Sequence, residues 1–276
     1  MKGREILWKA AFAGTVVFVI AAALLPVFWM ATTSVKPPGE YVSKEPTLVP
    51  RRVTFEHYAN MWEHRFFRHL RNTATVAIGS TLLSLAAGFL AAYAVVRFRL
   101  PAKLDIVFMF WVLVVKMLPP VVIAIPLYKT LRVFGLLDSL AGLIIVYQVY
   151  TLPYCIWMLL GFVKEVPREF EEAASLDGAS TWQMLRHVVL PLVGPGLVAA
   201  GIFSAIMAWN EFIYALLFVH FPSRLTLPIH IANYITEHET LWGELMAIGL
   251  SASLPVLLAS AFVQRYLVRG FSMSLK

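Results

Sequence analysis

A chain of 276 residues that is 59% hydrophobic and only 14% charged is not a soluble domain, which would carry about 25% charged residues. A net charge of +7 could suit nucleic acid, but the Lys and Arg residues flank long apolar stretches, where anionic lipid headgroups are the fitting counter-charge; no nucleic-acid partner is expected. The single cysteine, Cys155, excludes an intrachain disulfide.

A membrane span takes about 20 mostly apolar residues, because backbone N–H and C=O groups in hydrocarbon must be paired within the segment. Six stretches qualify: 10–33, 73–96, 105–127, 140–163, 192–219 and 243–268. They leave no room for a separate soluble domain, so 1–276 reads as one all-α, polytopic transmembrane domain. The first stretch follows Lys2, Arg4 and Lys9, but its apolar run is too long for a signal peptide. Pro26 to Trp29 also stand where a small-residue cleavage site would be needed, so it reads as a retained span.

The loop 34–72 begins with the turn-rich KPPGE. From Phe55, the residues Phe55, Tyr58, Trp62, Phe66 and Leu70 recur every three or four positions, with His57, His64, Arg65, Arg68 and Arg71 on the opposite arc. That pattern predicts an amphipathic helix in the membrane interface; a partner-binding face is the other reading.

In the third stretch Lys116 stands near mid-span, where a lysine costs at least about 2.5–3.5 kcal/mol, so it should face the bundle interior. Pro119 and Pro120 then remove two backbone donors, predicting a broken or kinked helix with carbonyls freed near Val115 and Lys116. A broken helix beside a cation suits a translocation pathway, and an ion pair, for example with Glu211, suits it equally. Gln148 in the fourth stretch could bond a solute hydroxyl, although a neighbouring helix is the commoner partner. Asn210 and Glu211 in the fifth pose the same choice between gate and helix-to-helix bond. Trp111 and Trp157 fit packing or the interfacial belt better than solute stacking. Pro255, with Ser251 and Ser253, predicts a kink in the last stretch.

The loop 164–191 spells two short helices. Pro167 suits a first helical position, and Glu169, Glu171 and Glu172 load the N-terminal turns with acid, favourable to the helix dipole. Asp177-Gly178 ends that helix, and Ser180-Thr-Trp-Gln183 reads as a capping box for a second one ending before Pro191. Ala173 and Ala174 keep one face small enough for close approach of another surface, with Glu172 beside them as a partner for a cation. Packing on the chain's own bundle is the equal alternative.

Other chemistry is missing from the sequence. There is no G-x-x-x-x-G-K-[ST] loop for ATP, no H-E-x-x-H, because Trp242 follows His238 where the second His would stand, and no G-x-S-x-G. Neither a catalytic residue nor a metal site is expected.

Glu172-Ala173-Ala174, three residues, Gly178, nine residues, then Val188-x-Leu190-Pro191 resembles the EAA loop of permease subunits in binding-protein-dependent ABC importers. The likeness extends through SVKPPGE, TFEHYANMW, LRNTATVA, MLPPVVIAIPLY, AWNEF, LTLPIHIANY and SLPVLLASAFVQRYLVRGF to the smaller, six-span permease of carbohydrate importers, the maltose-permease type. The tail departs from it, ending Ser272-Met273-Ser274-Leu275-Lys276. The resemblance implies a type I ABC importer permease fold. It also implies a coupling role for Glu171, Glu172, Ala173, Ala174, Gly178, Leu190 and Pro191. The implied partners are a second homologous permease, a dimeric ATP-binding subunit carrying ATP and Mg, an extracytoplasmic solute-binding protein and a sugar.

It further implies a cytoplasmic elbow at 164–191 and external loops at 34–72 and 220–242, the latter meeting the binding protein. The positive-inside rule is weak here: Lys2, Arg4, Lys9, Arg97, Arg99, Lys103, Lys164, Arg168, Arg186, Arg265, Arg269 and Lys276 are nearly balanced by Lys36, Lys44, Arg51, Arg52, Arg65, Arg68 and Arg71. The tight basic loop 97–103 and the basic C-terminus favour cytoplasmic termini. A non-sugar importer permease, a secondary carrier and a membrane-embedded enzyme are the competing readings. Inverted repeats with paired broken helices would favour the carrier, and the sequence offers only one obvious break, at Pro119-Pro120.

Overall fold

The computed structural model describes residues 2–41, 47–98, 103–235 and 240–273, with side chains for 8–261 of these. Lys44, Arg99, His238 and the tail Ser274–Lys276, on which sequence expectations fell, lie outside the described residues. The helices are α1 Lys2–Thr33, α2 Glu56–Glu63, α3 Phe66–Arg97, α4 Leu104–Met117, α5 Pro120–Val133, α6 Leu140–Val146 and α7 Gln148–Glu165. They continue with α8 Arg168–Leu176, α9 Thr181–Met184, a π-turn Leu185–Val189, α10 Leu190–Leu192, α11 Gly194–Trp209, α12 Ile213–Phe218, α13 Leu227–Ala232 and α14 Trp242–Met273. Among the described residues the only extended pairing is the isolated bridge Ile235–Thr240.

Among the described residues three uninterrupted helices, within α1, α3 and α14, are long and apolar enough to cross a bilayer, and three bent pairs, each counted as one span, bring the candidates to six. The pairs α4–α5, α6–α7 and the Thr181–Leu192 segment with α11 bend by 101°, 44° and 75°. The first bend is the one the two prolines predict: α4 stops at Leu118, whose backbone turns extended, and Pro120 opens α5 with its missing N–H at a position where none is needed. Of the carbonyls expected to be free there, that of Val115 accepts the Leu118 N–H at 3.4 Å. The fifth stretch departs from the expected continuous span, because α11 ends at Trp209 and α12 starts only at Ile213. The last stretch runs through Pro255 as one helix.

The chain forms two compact units, one from Met1–Phe67 with His230–Leu254, the other from Arg68–Ile229 with Pro255–Lys276. In the first, the apolar side chains of α1 from Trp8 to Trp29 are exposed, which in lipid is a solvated surface. Beyond α1, the ammonium of Lys36 is buried, donating to the Thr47 carbonyl and lying 4.8 Å over the Trp29 ring. His57 Nε2 donates to the Lys36 carbonyl at 2.8 Å, and Asn60 Nδ2 to Glu244 Oε1 at 2.8 Å. The Arg51 backbone N–H, donating at 2.8 Å, chiefly holds the Glu40 carboxyl below its usual range.

The expected interfacial helix takes a different form. It ends at Glu63, and Arg65 in the left-handed region (φ 63°) starts a new helix at Phe66. Its covered face is His57 and Met61, while Phe55 and Trp62 are exposed. The reversal comes from Gly243, whose missing side chain admits the His57 ring: a Cβ there would stand 2.2 Å from Nε2.

In the second unit α3, α7 and α11 pack around Phe89, Tyr93, Leu159, Val163, Val189 and Ala200. Gly88 lets α3 approach α7 closely, with a Cβ there only 2.9 Å from Cys155 Cβ. A second core joins Val76, Leu143, Tyr147, Tyr214 and Phe218. The chain after α12 is tied down at several points. Phe221 N–H donates to Asp138 Oδ1 at 3.1 Å, Asn72 Nδ2 to the Leu225 carbonyl at 2.9 Å, and Leu227 N–H to Thr73 Oγ1 at 2.7 Å.

Candidate functional site

Two sets of residues stand out: the elbow between α7 and α11, and the helix breaks within the second unit.

The elbow is built from local signals. α7 ends as Val166 and Pro167 turn extended, and α8 starts at Arg168, one residue later than Pro167 suggested. Asp177 closes α8 and Gly178 takes φ +80°, a conformation that only glycine adopts without strain. The capping box forms: Gln183 N–H donates to Ser180 Oγ at 3.4 Å, and Ser180 N–H to Gln183 Oε1 at 2.8 Å. The helix then passes Pro191 instead of stopping before it. A π-turn at Leu185–Val189, with Leu190 N–H bonded to the Leu185 carbonyl, widens the turn where a proline ring would otherwise meet the carbonyl four residues back. The sharp turn comes two residues on, at Val193.

Glu171 and Glu172 separate. Glu171 points inward, its carboxylate accepting from Arg97 Nε at 2.6 Å and from Tyr93 OH at 2.9 Å, while Arg97 Nη2 also donates to the Val166 carbonyl at 2.7 Å. The two charged side chains are 11% and 9% exposed. Glu172 and Ala173 face outward, Ala174 is half-buried, and Leu190 and Pro191 are exposed. Around them Leu176 (89% exposed), Trp182 (65%) and Phe170 are uncovered apolar groups. A cleft of 610 Å³ runs between α8 and the end of α3, lined by Arg97, Phe98, Glu172 and Thr181 among others.

The tentative pathway residues do not all come together. Gln148 spends its amide on its own chain, donating to the Ser80 and Ile144 carbonyls at 3.1 and 2.9 Å and accepting from Ser84 Oγ at 2.6 Å. Asn210, exposed, donates back to the Ile206 carbonyl at 2.8 Å. Lys116 is exposed on this chain, 5.8 Å over the Tyr154 ring. Glu211 caps α12, accepting N–H bonds from Tyr214 at 2.9 Å and Ala215 at 3.1 Å. Lys116, Pro120 and Glu211 line one cavity of 310 Å³, and Lys116 and Glu211 form no ion pair there. The sequence reading gave no site role to Tyr93, Arg97, Tyr147 and Tyr150, because nothing in their spacing links them to an acid 61 to 78 positions away.

Up to six apolar candidate spans, three of them bent pairs, with a polar elbow fastened to α3 by the Arg97–Glu171 pair, define a polytopic membrane protein. The sequence matches, over residues 84–273, the family described as binding-protein-dependent transport system inner membrane component. It is 34% identical to the trehalose transport system permease protein SugB of Mycobacterium tuberculosis, over 92% of both chains. It is 32% identical to the diacetylchitobiose uptake system permease protein DasC of Streptomyces coelicolor, over 94% of this chain and 93% of that one. In fold it resembles a chain of a bacterial ABC transporter involved in alginate import, with a TM-score of 0.80 at 21% identity over 95% and 97% of the two chains. The chain belongs to the family of inner membrane permease components of binding-protein-dependent transport systems, and has the type I ABC importer permease fold.

Proposed function

We propose that this chain is one of two permeases of an ATP-driven carbohydrate importer, itself without enzymatic activity. The elbow would dock on a cytoplasmic ATPase. The observation that carries the reading is the outer surface of α8 and α9, where Glu172 stands exposed among uncovered Phe170, Leu176 and Trp182. Large apolar groups on a capped, rigid, otherwise polar elbow fit a protein interface. The sugar assignment draws its support from relatives named for trehalose and diacetylchitobiose.

In this reading both termini and the elbow lie in the cytoplasm, and the loops 34–72 and 220–242 lie outside, the second meeting a solute-binding protein. ATP with Mg, held by the partner ATPase, supplies the free energy. Closure of that dimer pulls on Glu172 and Ala173, and the Arg97–Glu171 pair passes the displacement to α3, so the two permeases rock from inward-open to outward-open. The test is affinity purification of the tagged chain from its native membrane, then ATP hydrolysis with added trehalose or diacetylchitobiose. Recovery of an ATPase and a second permease, with sugar-stimulated hydrolysis, is expected. Recovery of the chain alone would favour a secondary carrier.

A further inference from the structure

The 310 Å³ cavity is where the broken spans meet. Its wall takes Lys116 and Leu118 from the α4–α5 break, Val149 and Tyr150 from the first turn of α7 beyond the α6–α7 break, and Glu211 and Tyr214 from the α11–α12 break. Irregular backbone at membrane depth is tolerated where it is buried in protein or lines a cavity, and broken helices around a midplane cavity are how transporters build solute sites.

The side chains there hold unspent hydrogen-bonding capacity. The hydroxyl of Tyr150 is buried with no hydrogen-bond partner and lies within electrostatic reach of the Glu211 carboxylate. Buried polar groups are nearly always satisfied, so an orphan on the cavity wall calls for a reason. Tyr150 and Tyr214 stack with ring planes 1° apart and centroids 6.1 Å apart, making a stiff wall. The Glu211 carboxylate on the cavity wall accepts the Tyr214 and Ala215 N–H groups, with the Tyr147 hydroxyl beside it. One acid and one ammonium leave the lining neutral in sum, with donors and acceptors interleaved.

We propose that this cavity is a sugar-binding station of this subunit, taking one ring of a neutral carbohydrate. Glu211 accepts from ring hydroxyls, and Tyr150 and Lys116 donate to them. The volume lies at the lower end of the range of about 300–1,000 Å³ for small-molecule pockets, which fits one ring better than a chain. A sugar acid would leave one charge of the lining unmatched. The inference rests on the carbohydrate-importer reading above.

The test uses the purified complex with its ATPase, second permease and binding protein in proteoliposomes, with trehalose and diacetylchitobiose as probes. If neither stimulates ATP hydrolysis by the unaltered complex, the carbohydrate reading fails and the station with it. If one does, that sugar is titrated with Tyr150→Phe and Glu211→Gln complexes. Tyr150→Phe discriminates well, because deleting an unpartnered buried hydroxyl is neutral or stabilising if its role is only structural. The station predicts that KM for the sugar rises about tenfold, the size of one lost hydrogen bond, with thermal stability unchanged or higher. An unchanged KM in Tyr150→Phe and Glu211→Gln, in a complex that the sugar stimulates, would overturn the station and leave the importer reading standing.

Discussion

Arg97 Nε donates to Glu171 Oε1 at 2.6 Å, so the last turn of α3 is bolted to the first turn of α8 by a nearly buried ion pair. The elbow therefore moves with a span of its own chain. Arg97→Ala strands the Glu171 carboxylate, which for a buried pair costs about 3–5 kcal/mol. The elbow should then loosen: amides of 168–176 exchange faster and transport falls, while Arg97→Met with Glu171→Leu regains most of the protection. Equal exchange in Arg97→Ala and the parent chain would rule the bolt out.

Glu172, one residue on, predicts the opposite split. It is exposed, so Glu172→Lys should change thermal stability by no more than about 0.5 kcal/mol. Transport should nonetheless fall at least about tenfold, since a charge reversal at an interface places like charges together at a cost of several kcal/mol. Transport assays beside a melting curve check both halves.

The same substitution at two glycines should act with opposite sign. At Gly196 a Cβ would stand 2.3 Å from Phe162 Cγ, so Gly196→Ala overpacks the α7–α11 contact and should lose about 1–3 kcal/mol. At Gly161, inside α7, nothing lies within 4 Å, and Gly161→Ala should gain about 0.4–1 kcal/mol by stiffening the unfolded chain. Unfolding midpoints of both variants decide the matter.

At Gly178 the obstacle is backbone alone, because φ is +80° with open space around the missing side chain. Gly178→Ala should cost about 1–2 kcal/mol, and Gly178→Asn distinctly less, since Asn visits this region far more readily. Ser180→Ala, which removes the cap, should cost about 1 kcal/mol and fray residues 181–184. Hydrogen exchange over the elbow measures all three.

Where local chemistry acts alone, the structure was legible in the sequence. The break at Pro119-Pro120 follows from missing donors, and the Ser180–Gln183 box and the Gly178 turn follow from single side chains. The breaks at Tyr147 and at 210–212 carry no such mark, since no proline stands at either. The second is held by Glu211 turning back onto the N–H groups of Tyr214 and Ala215. The π-turn before Pro191 is a similar case, as proline was read as a stop where the turn widens to admit it. Pairing was the least legible part, because spans that are apolar all round give no periodic hint of which face meets protein. Arg97 and Glu171 are 74 positions apart, and His57 turns inward only because Gly243 leaves it room.

The central claim is that the elbow carries the ATPase contact. Cys155, the only cysteine, is buried, so Leu176→Cys places one reactive thiol on the outermost apolar residue of α8. That thiol, labelled with a short photo-crosslinker in native membranes, should give an adduct with an ATP-binding subunit whose yield changes when ATP is added. An adduct with lipid or the chain itself alone, in membranes where the ATPase is present, would contradict the account.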